Sequence, residues 1–430
     1  MKIPLKRVFR FYNMKRAIII GSGAVGLCTA YFLQKEGVKV QVISASKKGD
    51  SEGCSYGNAG MIVPSHLIPL AAPGVIKKGI KWLLDPRSPL YIKPRFDSDL
   101  ISWIWKFILS SNSNNVTIGA PLLVEMNQAS RDLFKEISES EGLDYKYSRG
   151  GLMMLYKTSR YQEEEEHLAL KAKAFGLDVE VLNAKEIRDH EDQLQADVLG
   201  AVWYKSDAHI IPHKFMEQMI ELLEKKGVQF NFNCKVDSFI KENGRIGGIK
   251  TKEGVFEADE YIVCAGSWSQ EIAKDLAISI PIQGGKGYHL HIKDVPLQLK
   301  TPSILCEVKV AMTPMQGDLR VSGTMEFSGL NVAINDKRVE GIKDSVGKYF
   351  NRFDPNYFEG LKPWAGLRPV SPDTLPYIGR SKSYSNLSFN TGHAMLGLSL
   401  APISGKLLSD LLLKGKTMMN IDRLDPERFN

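Results

Sequence analysis

An α/β fold interrupted by an antiparallel α+β unit is predicted for this 430-residue chain by three features of its sequence. A strand at 17–20 runs straight into a glycine-rich turn, an amphipathic helix from Leu27 to Glu36 and a second strand at 38–43. Residues 284–335 alternate short strands with turns and read as an antiparallel sheet. Near its end the chain returns to Gly- and Pro-framed strands and a closing helix from about Ala401 to Leu413. The βαβ half is therefore split, with pieces at both ends of the chain and a sheet inserted between them.

The turn reads Gly21-Ser22-Gly23-Ala24-Val25-Gly26. Gly21 permits the tight turn, Gly23 lets the backbone approach a pyrophosphate, and Gly26 lets helix and strand pack closely. The helix N-terminus then offers free N–H groups and a positive dipole end to the phosphates. Strand, turn, helix and strand in register make this a Rossmann-type dinucleotide fingerprint, where a lone glycine triplet would be weak. Its tail departs from the pattern. Ser44, followed by Ala45, stands about 20 residues after the turn, where an Asp or Glu would hold a ribose hydroxyl.

Residues 54–61 are small and flexible, and Pro64, Pro69 and Pro73 mark an extended loop. Two apolar segments follow, Ile76–Leu84 and Leu100–Leu109. Each reads either as a core helix with snorkelling lysines or as an interfacial helix. Helices are expected at 121–141, 161–176 and 212–226, strands at 151–156 and 228–232, and a hairpin turn at Asn243-Gly244. The apolar strand at 260–264 ends in Ala265-Gly266, a second place where backbone can come close to a ligand. Strands at 287–292, 308–312 and 319–323 form the inserted sheet, a helix lies near 336–351, and Trp364 to Pro369 follows.

Composition narrows the class. Hydrophobic residues make up 43% of the chain, enough for real cores, yet no run approaches the ~20 apolar residues of a spanning helix. Six of the seven net positive charges fall within residues 1–16, so the remainder is close to neutral and gives no support for nucleic-acid binding. The basic leader 1–13 reads as a membrane-surface anchor or as an extension ahead of a start at Met14, the second being preferred. It lacks the apolar core and cleavage site of a secretory signal. Five scattered cysteines and eight histidines without ligand spacing argue for reduced cytoplasmic thiols and against a zinc site or disulfide scaffold. No metal is expected.

Taken together, these residues resemble the D-amino-acid oxidase superfamily of flavoproteins, and within it the bacterial D-amino-acid dehydrogenases. The resemblance covers nearly the whole chain from Met14. It rests on residues 55–61, AAPGVIKKGIKWL at 71–83, GKGY at 285–288, GLRP at 366–369 and NTGHAMLG at 390–397. It implies non-covalent FAD in a Rossmann-type, GR2-like domain made of 14–75, 200–275 and 360–430. An antiparallel α+β substrate domain would comprise 76–199 and 276–359. Gly21, Ser22, Gly23, Ala24, Val25 and Gly26 would take the pyrophosphate, with Ser44, Ala45 and Ser55 nearby. Asn58, Ala59, Gly60 and Met61 would line the flavin, the Val236 backbone the adenine, and Ala265, Gly266 and Trp268 the nucleotide edge. Gly392, His393, Leu396, Gly397 and Leu398 would meet the pyrimidine end of the ring through backbone. Ser44 in place of the family's acid implies weaker FAD binding or, alternatively, a preference for NADP.

By the same resemblance Arg368 pairs with a substrate carboxylate, which suits a planar, bidentate guanidinium. Tyr288 would donate a second hydrogen bond to that carboxylate or pack at the flavin edge, a half-buried core place being the other reading of a lone strand tyrosine, and His289 and Trp364 would be pocket walls. The implied reaction is oxidation of a D-amino acid by hydride transfer from Cα to flavin N5, the imine then hydrolysing to a 2-oxo acid and ammonia. The flavin carries the chemistry, so no catalytic side chain is expected. Oxidation of D-proline or cis-4-hydroxy-D-proline to a pyrroline carboxylate is the alternative. A non-catalytic flavin-binding subunit and an NADPH-dependent reductase are readings from other classes. Electrons would pass to a quinone-type acceptor, with the protein cytoplasmic or peripheral on the inner face of the membrane. The sequence leaves the oligomeric state open.

Overall fold

The computed structural model of the chain describes residues 14–49, 53–83, 88–191, 196–295, 299–350 and 353–430. The basic leader lies outside these residues. Two large sheets organise the rest. The first has six strands in the order β19 (Tyr377–Arg380), β20 (Leu387–Thr391), β13 (Glu260–Val263), β1 (Arg16–Ile20), β2 (Lys39–Ile43) and β9 (Gln229–Asn231). All neighbours pair parallel except β19 with β20. Its central strand Ala17–Ile20 is buried on both faces, as the apolar run Ala-Ile-Ile-Ile requires. Helix α1 (Ala24–Lys35) packs against α10 (Ala401–Lys414) and α7 (Pro212–Lys225). Distant parts of the sequence thus close one core around the glycine turn.

The second sheet has nine strands. Its main order is β18 (Trp364–Val370), β14 (Gln283–Ile292), β17 (Asp318–Phe327), β16 (Val310–Met315), β15 (Ser303–Leu305), β5 (Leu152–Tyr156), β7 (Gly200–Tyr204) and β6 (Val179–Asn183). β4 (Leu90–Ile92) adds parallel to the end of β17. A three-stranded sheet, β10 (Val236–Glu242), β11 (Arg245–Thr251) and β12 (Gly254–Phe256), flanks the first core, and β3 (Met61–Ile62) pairs with β8 (Ala208–His209). Asn243 and Gly244 both take positive φ between β10 and β11, the backbone a two-residue hairpin demands.

Two boundaries differ from the sequence expectation. β7 and β18 were placed with the nucleotide unit by cuts at 200 and 360, yet both strands belong to the nine-stranded sheet. β7 pairs with the preceding strand β6 and with the more distant β5, and β18 pairs with β14 some eighty positions earlier, so membership is fixed by pairing rather than by either strand's own sequence. The helix expected at 121–141 is also longer. α4 spans Ser113–Glu141, begins at an Asn112 cap and carries Pro121 in its interior. The remaining helices are α2 (Val75–Leu83), α3 (Ser98–Ser110), α5 (Ser159–Ala174), α6 (Ala184–His190), α8 (Ser269–Asp275) and α9 (Asp336–Tyr349).

Candidate functional site

The phosphate end of the site is built by contacts only glycine allows. A Cβ on Gly21 would lie 2.4 Å from the Cys264 carbonyl oxygen, and one on Gly26 would lie 2.0 Å from that of Gly21. β1, β13 and α1 therefore meet backbone to backbone. Gly23 is different: its Cβ would approach nothing nearer than Ser55 Oγ at 3.4 Å, so no contact within the described residues requires it to be bare. Gly23 caps α1 without a side-chain bond, and the first turn holds no acid. Ser55 Oγ accepts a bond from the Ala24 N–H at 3.0 Å. A bare helix N-terminus beside a half-buried glycine turn is a cradle for a pyrophosphate, and the donor set fits FAD.

Ser44 is buried at the end of β2, where its Oγ accepts from Ser22 Oγ at 2.8 Å and from the Ser46 N–H at 3.3 Å. Both lone pairs are then engaged, and the serine has only its proton left to offer a ribose oxygen. A carboxylate there would instead accept from the ribose hydroxyl. Ala45 follows Ser44, and the Cys234 N–H bonds back to the Ser44 carbonyl two residues before Val236 opens β10. Ala265 and Gly266 follow the Cys264 carbonyl that sits over Gly21, while Trp268, one turn further, is 47% exposed.

The second sheet grips the 53–61 segment by its carbonyls. Arg320 Nη1 donates to the Tyr56 and Asn58 oxygens at 3.1 and 2.5 Å, and His289 Nδ1–H donates to that of Gly57 at 3.0 Å. Asn58 Oδ1 accepts from the Gly60 N–H, and Gly60 holds φ +81° with Ile210 too close for any side chain. Ala59, Met61 and Leu396 then join Met154, Ile304 and Ala311 of the sheet in one apolar cluster. In this way the 58–61 segment, the turn at Ala394–Leu396 and one face of the sheet meet. Gly392 takes φ +76° against the Tyr377 ring. His393 Nε2 bonds Ser404 Oγ at 2.9 Å, and burial pulls its pKa down to about 3, so only its backbone is left to act outward. Gly397 and Leu398 lead into α10, whose first turn has no acid and no side-chain cap.

The register of β14 against β18 decides which side chains share the opposing face. Gly285 pairs with Arg368, Gly287 with Gly366, and His289 with Trp364. Because strand residues alternate, all six point the same way. The Arg368 guanidinium lies on Gly287, where a Cβ would be 2.2–2.3 Å from Nη1, Cζ and Nη2. Its Nη1 donates to the Thr324 carbonyl at 2.7 Å, at the irregularity in β17 where Thr324 holds φ +71°. Burial pulls the guanidinium pKa down, and no acid pairs with it among the described residues. The Trp364 indole covers Gly366 and Gly57, again where a Cβ would clash, and His289 stacks on it at 4.7 Å. Burial, reinforced by the Arg320 charge, lowers the His289 pKa to about 3, so this ring is neutral.

Tyr288 is corrected by the same alternation. Its side chain points to the opposite face, into the core with Leu290 and Val339, and its hydroxyl donates to Glu326 at 2.9 Å. Glu326 is in turn paired with the buried Lys286 at 3.0 Å. Tyr288 therefore cannot share a carboxylate with Arg368. Arg320 was missed by the sequence reading: nothing local marks it, since its partners Tyr56 and Asn58 lie 264 and 262 positions away.

Among the described residues no helix is long and apolar enough to cross a membrane, and no group of three or more His, Cys, Asp or Glu could hold a metal ion. Helix α3 turns Leu100 and Trp103 inward but leaves Ile101, Trp105 and Leu109 about 60% exposed. The companion segment at 76–84 is described only in part, the side chains of Ile80 and Leu83 and all of Leu84 lying outside the described residues.

Comparison with known proteins places this geometry. A family model described as FAD dependent oxidoreductase matches residues 16–411. A D-amino acid dehydrogenase of Vibrio cholerae serotype O1 is 31% identical over 425 residues, covering 97% of this chain and 99% of the relative. Among solved structures, glycine oxidase from Geobacillus kaustophilus shares the fold with a TM-score of 0.77 at 19% identity, over 96% of this chain and 99% of that one. L-proline dehydrogenase from P. horikoshii does so with a TM-score of 0.75 at 18% identity, over 97% and 98%.

Proposed function

We propose, from the premise that the chain belongs to the FAD dependent oxidoreductase family, that it oxidises a small D-amino or D-imino acid whose carboxylate is held by Arg368. The observation that carries this reading is the Arg368 guanidinium. It is a half-buried cation with no acid partner among the described residues, seated on Gly287 and anchored by one bond to the Thr324 carbonyl. Leaving a charge so placed without an anion is costly, and a planar fork is matched by a carboxylate. It lies on the sheet face that meets the 58–61 segment and the 394–396 turn.

Bound FAD supplies the acceptor for the hydride that leaves Cα. Gly21 to Gly26 and Ser55 would hold its pyrophosphate, Ser44 with Ser22 and Ala45 its ribose, and Val236, Ala265, Gly266 and Trp268 the nucleotide end. Asn58 to Met61 and the backbone of 392–398 would border the ring. The chain's own work is placement. Arg368 fixes the carboxylate, and the stacked Trp364 and His289 wall the pocket and exclude water. His289 is neutral with its Nδ1 proton spent on Gly57, so it presents no charge to a substrate amine. A primary D-amino acid would give a 2-oxo acid and ammonia. D-Proline or cis-4-hydroxy-D-proline would give a pyrroline carboxylate and no ammonia.

Electrons leave, in this reading, to a quinone-type acceptor at a membrane surface, and the exposed apolar face of α3 supports such a contact. The decisive experiment is anaerobic reduction of the bound flavin against D- and L-amino acids and imino acids, with ammonia measured. Arg368→Ala should raise the half-saturating substrate concentration by two orders of magnitude or more, whereas an unchanged value overturns the carboxylate assignment.

A further inference from the structure

The sheet face that carries Arg368 holds a second feature that no carboxylate explains. Cross-strand pairing sets one continuous row across it: Trp364, His289, Ser322, Ala311, Ile304 and Met154. Trp364 and His289 stack on one another, and Ala311, Ile304 and Met154 pack with Ala59, Met61 and Leu396. Ser322 stands between these two groups. It is 7% exposed, and its Oγ has no hydrogen-bond partner among the described residues. The next row continues in the same sense. Thr313 Oγ1 and Arg320 Nε, paired across β16 and β17, are also buried without partners.

Buried polar side-chain atoms without partners are rare, because a group taken out of water and given no hydrogen bond is strongly disfavoured. Two hydroxyls and one guanidinium nitrogen left so among the described residues, in the row next to the Gly287 on which the Arg368 guanidinium lies and in the row beyond it, form a polar strip on one sheet face. Neighbouring rows on one face of a strand are about 7 Å apart. A carboxylate on the Arg368 fork therefore puts a substituent on the β or γ carbon of the same small molecule within reach of Ser322. The apolar residues on the far side of Ser322 offer that substituent no competing bond.

We propose that Ser322 is a specificity-determining residue, and that its hydroxyl takes a hydrogen bond from or to a hydroxyl on the carbon chain or ring of the substrate. This rests on the reading that Arg368 holds the carboxylate of an amino or imino acid. It goes beyond that reading in assigning a polar substituent to the substrate and a residue to recognise it. Arg320 is already committed to the Tyr56 and Asn58 carbonyls, so it supports the strip from behind as a positioning residue.

The test uses the FAD-loaded full-length enzyme and two matched pairs, D-alanine with D-serine and D-proline with cis-4-hydroxy-D-proline. Anaerobic flavin reduction is followed against the concentration of each. In the wild type the hydroxylated member of at least one pair should half-saturate at about tenfold lower concentration. Ser322→Ala should abolish that advantage and leave the plain member unchanged, and its melting temperature should hold or rise, since an unpaired buried hydroxyl has been removed. Ser322→Thr, which keeps the hydroxyl, should retain the preference. The proposal is overturned if the wild type prefers neither member, if Ser322→Ala weakens both members equally, or if that variant melts several degrees lower, which would mark the hydroxyl as structural. Failure of the underlying reading looks different: no amino or imino acid reduces the flavin at all, and both ideas then fall.

Discussion

Replacing Gly287 with alanine tests the proposed carboxylate anchor without removing any polar group. The added methyl would sit 2.2 Å from Arg368 Nη1 and 2.3 Å from Cζ and Nη2. Ordinary carbon contacts lie at about 3.5–4.0 Å, so the guanidinium must retreat by more than about 1 Å. That retreat is cheap for the fold, because the displaced atoms are the end of a flexible side chain. For the substrate it is expensive, because a bidentate bond depends on both nitrogens keeping their positions. A hydrogen bond to a charged group contributes about 1.5–3 kcal/mol, which corresponds to roughly 10- to 150-fold in half-saturating substrate. Misplacing the reacting carbon adds a loss in turnover on the same order. The assay is anaerobic stopped-flow reduction of the flavin together with thermal melting of the same sample. Gly287→Ala should melt within a few degrees of wild type and require at least tenfold more substrate. Unchanged half-saturation would refute the placement of the substrate carboxylate at Arg368, and a collapse of the melting temperature would refute the claim that only the guanidinium yields.

Three other outcomes follow from contacts already described. Tyr288→Phe should leave substrate half-saturation unchanged and cost about 1–2 kcal/mol in urea unfolding, since the hydroxyl serves the buried Lys286–Glu326 pair; weaker substrate binding would return Tyr288 to the site. Asp207 is buried, accepts from the backbone and hydroxyl of Ser65, and has its pKa pushed up to about 7 by burial. The folded state therefore holds this proton where the unfolded chain releases it, and stability falls as pH rises from about 4 to about 7. Asp207→Asn should flatten that part of the curve of urea midpoint against pH, and identical curves would rule out the assignment. If the proposed membrane contact runs through α3, the wild type should sediment with anionic lipid vesicles and Trp105→Glu should not, while substrate-driven reduction of a soluble dye stays intact; no sedimentation of the wild type, or equal sedimentation of both, would overturn that proposal.

What could be read from the sequence was what is enforced locally. The glycine turn is legible because its three glycines fall within six residues, Gly21 and Gly26 answering backbone clashes and Gly23 left bare, and the expected hairpin at Asn243-Gly244 is legible because two adjacent residues supply its positive φ. The GLRP and GKGY motifs lie on paired strands, but neither motif says which of its side chains share a face. Tyr288 and His289 are neighbours, and a period of two says only that they face opposite ways. That His289 and not Tyr288 shares a face with Arg368 is set by the pairing of His289 with Trp364, across 75 positions of sequence. The cuts at 200 and 360 failed for a related reason, since a strand joins a sheet through partners its own sequence does not name.

The glycines around Arg368 carry the same argument one step further. Gly57, Gly287 and Gly366 lie in three separate segments, and in the sequence each looks like an ordinary turn or strand residue. In the fold each is the floor beneath a larger side chain: Trp364 covers Gly57 and Gly366, and Arg368 covers Gly287. A β-branched or even an alanine side chain at any of them would lift the indole or the guanidinium out of its seat. The Gly57 carbonyl also receives the His289 proton, so one residue fixes both the indole and the tautomer of the ring stacked on it. The proposed pocket is therefore specified as much by three absent side chains as by the arginine, tryptophan and histidine that fill their places. It follows that the motif glycines and Arg368 should fail together, in substrate binding rather than in folding, which is how a site differs from a core.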